Sequence, residues 1–157
     1  MLASPSGTGL YFSYLLRPSA APSDVTHVTA CAAVCVHNAI LRATGLDASI
    51  KWVNDLVLGN KKICGILTEM NLESESYSVD SIIIGIGINI NGSADIFPPE
   101  LRDIVGTIES ISGVRSDRSR IAACLIDELD KLSSCLTADT SSYLETYSSC
   151  CITLGKE

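Results

Sequence analysis

Ile82-Ile83-Ile84-Gly85-Ile86-Gly87-Ile88 is the longest apolar run in the chain, and polar residues bound it on both sides. Its length suits a β-strand and falls well short of the roughly 20 apolar residues that a membrane span requires. Side chains alternate along a strand with a period of two, so Gly85, Gly87 and the following Asn89 share one side. Two successive glycines on one side forgo packing and backbone entropy, and they clear a groove. Asn89 offers a donor pair and an acceptor, which suits the edge of an adenine ring or the cap of a turn. Gly-x-Gly here lacks the third glycine and the following helix of a dinucleotide fingerprint, so a Rossmann site is not indicated.

Two segments upstream carry the same kind of signal. In Lys61-Lys62-Ile63-Cys64-Gly65-Ile66-Leu67 a lysine at the start of an apolar strand is ordinary by itself. Gly65 inside that strand is not, because interior strand glycines often mark close approach by a ligand or another backbone. Lys51-Trp52-Val53-Asn54-Asp55 brings a Lys, an Asn and an Asp together at the end of a short strand. Such a group suits a polar site at a strand mouth, and it equally suits a turn in which Asn and Asp bond their own backbone.

Working outward, Leu10 to Leu16 reads as a strand. A helix is expected from an N-cap near Ser23-Asp24, with Val25, Val28, Ala32, Cys35, Ala39 and Ala43 in helical period and Gly45 as its stop. Short strands at Ser49 to Val53 and Leu56 to Leu58 lead through a Gly59-Asn60 turn into longer ones at Lys61 to Leu72 and Val79 to Ile90. The polar Glu73-Ser74-Glu75-Ser76 joins those two. Helices are expected over Glu100 to Ser112, Ser116 to Leu136 and Ser141 to Ser149, with Ile121, Leu125, Leu129, Leu132 and Leu136 forming one apolar stripe. No repeat or linker divides the chain, and the pattern predicts one α+β domain with a mixed sheet.

Composition narrows the function. With 157 residues, 46% of them apolar, the chain can bury a sizeable core and is no disordered tail. Eighteen acids against 11 bases give a net charge of −7, which argues against a nucleic-acid surface. Aromatics at 5% also weigh against base-stacking platforms. Seven cysteines, at 31, 35, 64, 124, 135, 150 and 151, with no signal peptide at Met1, read as free thiols in a reducing cytoplasm. His27, Cys31 and Cys35 fall four residues apart on the predicted helix, but no fourth ligand accompanies them, so no metal site is assigned.

In this order and spacing, Lys51-Trp52-x-Asn54-Asp55, Lys61-Lys62-x-x-Gly65-Ile66-Leu67-x-Glu69 and Gly85-x-Gly87-Ile88-Asn89-x-Asn91 resemble the biotin–protein ligases. Ser4-Pro5-x-Gly7-Thr8-Gly9-Leu10-Tyr11-Phe12-Ser13 matches the stretch ahead of them in that family. Phe97-Pro98-Pro99-Glu100-Leu101, Ser110-Ile111 and Thr153-Leu154-Gly155-Lys156 also fit, so the resemblance runs over essentially residues 1–157. It implies the α+β fold of the biotin and lipoate ligase catalytic domains, related to class II aminoacyl-tRNA synthetases, with a mainly antiparallel sheet and flanking helices. The implied reaction has two steps. Biotin and ATP, with Mg2+, give biotinyl-AMP; a lysine of the biotin carrier domain of a carboxylase of the acetyl-CoA type then takes the biotin.

By the same resemblance, Lys62 is the catalytic lysine and Asp55 the carboxylate that meets the incoming amine. Lys51 contacts the nucleotide phosphate, Asn54 supports the pocket and Asn89 reads the adenine. Biotin lies against Gly9, Leu10, Tyr11, Lys62, Gly65, Ile66, Gly85, Ile86 and Gly87. No nucleic acid, membrane or resident metal is implied.

Some positions depart from the family pattern. Val53 stands where the family has Pro, which loses a fixed φ, and Cys64 stands where a small residue is usual. The family's Gly-Arg-Gly-Arg-x-Gly loop has no match here, and Leu2 occupies the position of its adenine-stacking Trp. Residues 1–157 are therefore expected to be a catalytic domain lacking its N-terminal part and the family's small C-terminal β-barrel. Two rivals follow: a lipoate–protein ligase with the same acyl-adenylate chemistry, and a folded remnant that turns nothing over.

Overall fold

In the computed structural model, which describes residues 7–73 and 77–155, β5 (Val79–Asn89) lies between β1 (Gly9–Leu16) and β4 (Lys61–Leu72). The sheet continues through β3 (Asp55–Leu58) to β2 (Ser49–Lys51), giving the order β1-β5-β4-β3-β2. All four ladders are antiparallel. The expected mixed character is confined to two isolated parallel bridges, Ile50 with Cys151 and Lys62 with Val105.

The period-two reading of β5 holds. Ile82, Ile84, Ile86 and Ile88 are buried on one face, and Gly85, Gly87 and Asn89 occupy the other. Two long helices cover the buried face. These are α1 (Val28–Thr44), ended by Gly45 at φ +77°, and α3 (Arg118–Cys135). The stripe Ile121, Leu125, Leu129, Leu132 and Leu136 is buried as expected. Short α2 (Ile108–Ser112) and α4 (Ser141–Cys150) complete the set.

Two helix boundaries differ from expectation. Ser23-Asp24 opens only a 3-10 turn, Pro22–Val25, in which the Asp24 carboxylate accepts from the Ala21 N–H; α1 itself starts after His27. His27 is consequently exposed, whereas Cys31 and Cys35 are buried in the core, so the three do not share a face. Among the described residues no group of His, Cys, Asp and Glu is placed to hold a metal. The segment Pro22–Thr44 is long and apolar enough to cross a membrane, but most of α1 packs inside the fold as its core helix.

The expected helix from Glu100 breaks because backbone at 104–106 serves β4 instead. Lys62 donates its N–H to the Ile104 carbonyl at 2.8 Å, and Gly106 donates to the Lys62 carbonyl at 3.0 Å. Gly106 is closely packed there, since a Cβ would stand 2.9 Å from the Ile111 side chain and oblige it to shift. Thr107 then caps α2 by accepting from Ser110 N–H at 2.9 Å. Residues 74–76 of the polar connection, Met1 to Ser6 and Lys156 lie outside the described residues.

Candidate functional site

The face of the sheet away from α1 and α3 carries the residues that the sequence singles out. Tyr11 pairs with Gly87, Gly87 with Gly65, Gly65 with Asp55 and Asp55 with Lys51, so these five form one row across the sheet. Directly paired residues of antiparallel strands point to the same side. The two glycines thus leave bare backbone between the Tyr11 ring and the Asp55 carboxylate. Above this floor opens a cavity of about 650 Å³, within the range of small-molecule sites.

Lys62 would not point there from a regular strand. The pairing steps from Val57–Lys62 to Leu56–Cys64, which makes Ile63 an extra residue in β4. Such a bulge changes the alternation and re-aims a side chain. Ile63 is buried, and the Lys62 ammonium swings over Gly65 to meet Asp55 Oδ1 at 2.6 Å. The 104–106 backbone fixes the lysine's own N–H and carbonyl, so the ammonium extends from an anchored main chain. Its neighbour Lys61 is tied down separately, donating to the Arg102 carbonyl at 2.7 Å.

Asn54 combines the two roles that its sequence left open. Its side-chain amide donates to the Ile66 carbonyl at 2.8 Å, and its carbonyl accepts from the Ile66 N–H at 2.9 Å. It closes the turn onto β4 and also lines the cavity. From behind, Tyr147 Oη donates to the Val53 carbonyl at 3.1 Å, and Thr153 Oγ1 accepts from the Trp52 N–H at 2.9 Å. The stretch from α4 onward therefore straps the turn that presents Asp55.

Of the predicted residues, Tyr11, Asn54, Asp55, Lys62, Gly65, Ile66, Gly85, Ile86, Gly87 and Asn89 line the cavity. Three do not. Leu10 packs against the core, as the alternation of β1 dictates. Gly9 sits under the Tyr11 ring: a Cβ there would meet the Ile88 carbonyl at 3.1 Å and the ring at 3.2 Å. Lys51 is exposed at the far end of the row, beyond the cavity wall. Asn91, last of its motif, is buried and exchanges hydrogen bonds of 3.0 Å with the backbone of Ser116, so it braces the approach to α3.

Sequence reasoning missed Phe12, Ser13, Cys64, Leu67, Leu101 and Val105, which also line the cavity. The period of two, carried on from Tyr11 and Gly65, finds Ser13 and Leu67. Leu101 and Val105 carry no such signal, since the sequence pattern places them in a helix that forms only from Ile108 onward. The Cys64 thiol is pushed up by burial and then by the Asp55 carboxylate, against a smaller opposing effect of Lys62, and stays protonated.

A cation at the mouth of a groove floored by bare backbone suits a flat anionic ligand, and the carboxylate beside it suits an incoming amine. Comparison with known proteins gives the family. The model of the Biotin/lipoate A/B protein ligase family matches residues 1–89, and the chain belongs to that family. It is 42% identical over 118 residues to the bifunctional ligase/repressor BirA of Bacillus spizizenii, covering 75% of this chain and 36% of that protein. The biotin–[acetyl-CoA-carboxylase] ligase of Paracoccus denitrificans is 32% identical over 83 residues, 52% of this chain and 34% of that one. Among solved structures, the Aquifex aeolicus biotin protein ligase in complex with biotin and ATP superposes with a TM-score of 0.75 at 27% identity, covering 96% of this chain and 61% of that one. The chain thus spans about a third of the curated relatives it matches.

Proposed function

We propose that residues 1–157 are a catalytic-domain segment that forms biotinyl-AMP from biotin and ATP and passes the biotin to a lysine of a carboxylase's biotin carrier domain. The observation that carries the reading is the Lys62–Asp55 pair over the Gly65–Gly87 floor, in a chain of this family. The Aquifex structure holds biotin and ATP, and the Paracoccus relative is named for acetyl-CoA carboxylase.

In the first step the biotin carboxylate attacks the α-phosphorus of ATP and expels pyrophosphate. Two anions must approach, and the Lys62 ammonium offsets their repulsion and the charge that develops at phosphorus. Mg2+ enters with the triphosphate as part of the substrate. Lys51, at the outer end of the row, meets phosphate, and Asn89 reads the adenine. In the second step the carrier lysine, as a free amine, attacks the acyl carbon and AMP departs. Asp55 orients the ammonium and takes its proton. The free cysteines support a reducing, cytoplasmic setting. The Bacillus relative's name includes a repressor activity; the net charge of −7 supports reading this segment as ligase and not as a DNA surface.

The test is ATP–pyrophosphate exchange by the chain with biotin or lipoate, followed by transfer to a carrier domain. Exchange that depends on biotin supports the proposal. Exchange with lipoate alone assigns the lipoate chemistry of the same family, and a folded chain with neither activity is the silent remnant.

A further inference from the structure

The last turn of α4 runs into two adjacent cysteines, Cys150 and Cys151, and the ligand site uses neither. His37 on α1, only 5% exposed, reaches Cys150 from the core. Its Nδ1 lies 2.8 Å from the Ala48 carbonyl oxygen and 3.8 Å from Asp47 Oδ1. A carbonyl oxygen can only accept, so Nδ1 carries the ring hydrogen and donates it. In that tautomer the lone pair of Nε2 faces the Cys150 sulfur, 3.7 Å away. Ser149 Oγ is a second polar neighbour of that sulfur, also at 3.7 Å. A thiol, an imidazole and an oxygen that orients the imidazole are the parts that activate a cysteine nucleophile.

We propose that Cys150 is an activated thiol that His37 primes to form mixed disulfides with low-molecular-weight disulfides. The thiol passes its proton to Nε2, and the thiolate attacks one sulfur of the small disulfide. A new S–S bond forms as the old one breaks, and the departing thiolate recovers the proton from the imidazolium. One protein mixed disulfide and one free small thiol result, so the small disulfide is the only oxidant needed. Cys150 is partly exposed, which admits such a reagent, whereas Cys31, Cys35 and Cys64 are sealed in the core.

The position links this thiol to the strap. Cys151 pairs with Ile50, and its sulfur lies 3.3 Å from Thr153 Oγ1, the acceptor for the Trp52 N–H. An adduct on Cys150 crowds that connection and disturbs the turn ending in Asp55. Trp52 is the sole tryptophan, so its emission reports the disturbance directly.

The full chain is treated with glutathione disulfide under native conditions, and adducts are located by fragment-ion mass spectrometry of its peptides. Cys124 and Cys135, also partly exposed, serve as internal references. Cys150 is expected to react at least about tenfold faster than either, and His37→Gln to remove the advantage while leaving the Cys124 rate unchanged. A Cys150 rate no greater than the references in the unaltered chain overturns the proposal, whatever the variant does. So does an adduct that forms first on Cys151. Trp52 emission is expected to shift with the adduct and return on reduction; constant emission in fully modified protein overturns the link to the turn.

Discussion

The Lys62 ammonium and the Asp55 carboxylate meet at 2.6 Å directly over the backbone of Gly65. Two features bring them together: the cross-strand pairing of Asp55 with Gly65, and the extra residue Ile63 that turns Lys62 onto the same face. The pair therefore depends on register, and changes on either strand test it.

Lys62→Ala removes the cation while leaving the anchored main chain in place. On the proposed function, biotin-dependent pyrophosphate exchange falls on the order of 10²–10³-fold, the loss typical of one preorganised charge donor. Both side chains of the pair keep solvent contact, so unfolding free energy changes by less than about 1 kcal/mol. Near-normal exchange by a folded variant removes Lys62 from the mechanism.

Gly65→Ala tests the floor. The added Cβ would stand 3.3 Å from both Cε and Nζ of Lys62, and the flexible end of that chain yields. Thermal stability is expected to hold within a few degrees, while affinity for biotin, measured calorimetrically, drops about tenfold or more as the ammonium and the groove are displaced. Unchanged affinity shows that the ligand does not lie over Gly65.

Much of the site was readable because strand alternation is a rigid rule. Gly85, Gly87 and Asn89 occupy the open face that period two assigns them. Lys62 follows no such rule, since a bulge re-aims it and no residue in Lys61-Lys62-Ile63-Cys64 announces one. The stretch 102–107 departs from its sequence pattern for a related reason. Its residues tolerate a helix, but long-range bonds to Lys62 hold residues 104–106 in another conformation. Local propensity is a weak prior against such tertiary pairing.

Away from the site, Glu128 on α3 sets an acid dependence. Burial alone would raise its carboxyl, but bonds from Lys131, Asn38 and Arg42, the last at 2.6 Å, outweigh this and hold it below the ordinary glutamate range. A lowered folded value means stability that is complete above the unfolded value and lost as pH falls through the folded one. Glu128→Gln is thus expected to melt earlier than the native chain at pH 7, with the difference closing as pH falls below about 4. A constant difference across a pH series of melting curves contradicts this.

Tyr147→Phe cuts one fastening of the strap. Burial, and after it the nearby Cys151, push the phenol up to about 12, so it remains a donor to the Val53 carbonyl at ordinary pH. Loss of that bond is expected to cost about 1 kcal/mol in denaturant unfolding. Trp52 packs edge-on against the same ring, so its emission should change little while the ring remains. A variant as stable as the native chain denies the strap any energetic role.

On the proposed function, Asp55→Asn separates the two half-reactions. The amide is the same size as the carboxylate and can still occupy the space beside Lys62, so the floor and the turn are retained. It no longer offers Lys62 a counter-charge, yet adenylation needs the cation and not its partner. That step is expected to fall by no more than several-fold. Transfer differs, because the carrier lysine arrives as an ammonium and must lose a proton before it can attack. A neutral amide neither attracts that ammonium nor accepts its proton, so transfer from preformed biotinyl-AMP is expected to fall on the order of 10²-fold or more. Single-turnover measurement of each step tells the roles apart. Raising the pH supplies free amine from solution and should recover part of the transfer rate in the variant. Equal loss in both half-reactions, with no recovery at higher pH, would mean that Asp55 serves only to hold Lys62 in place.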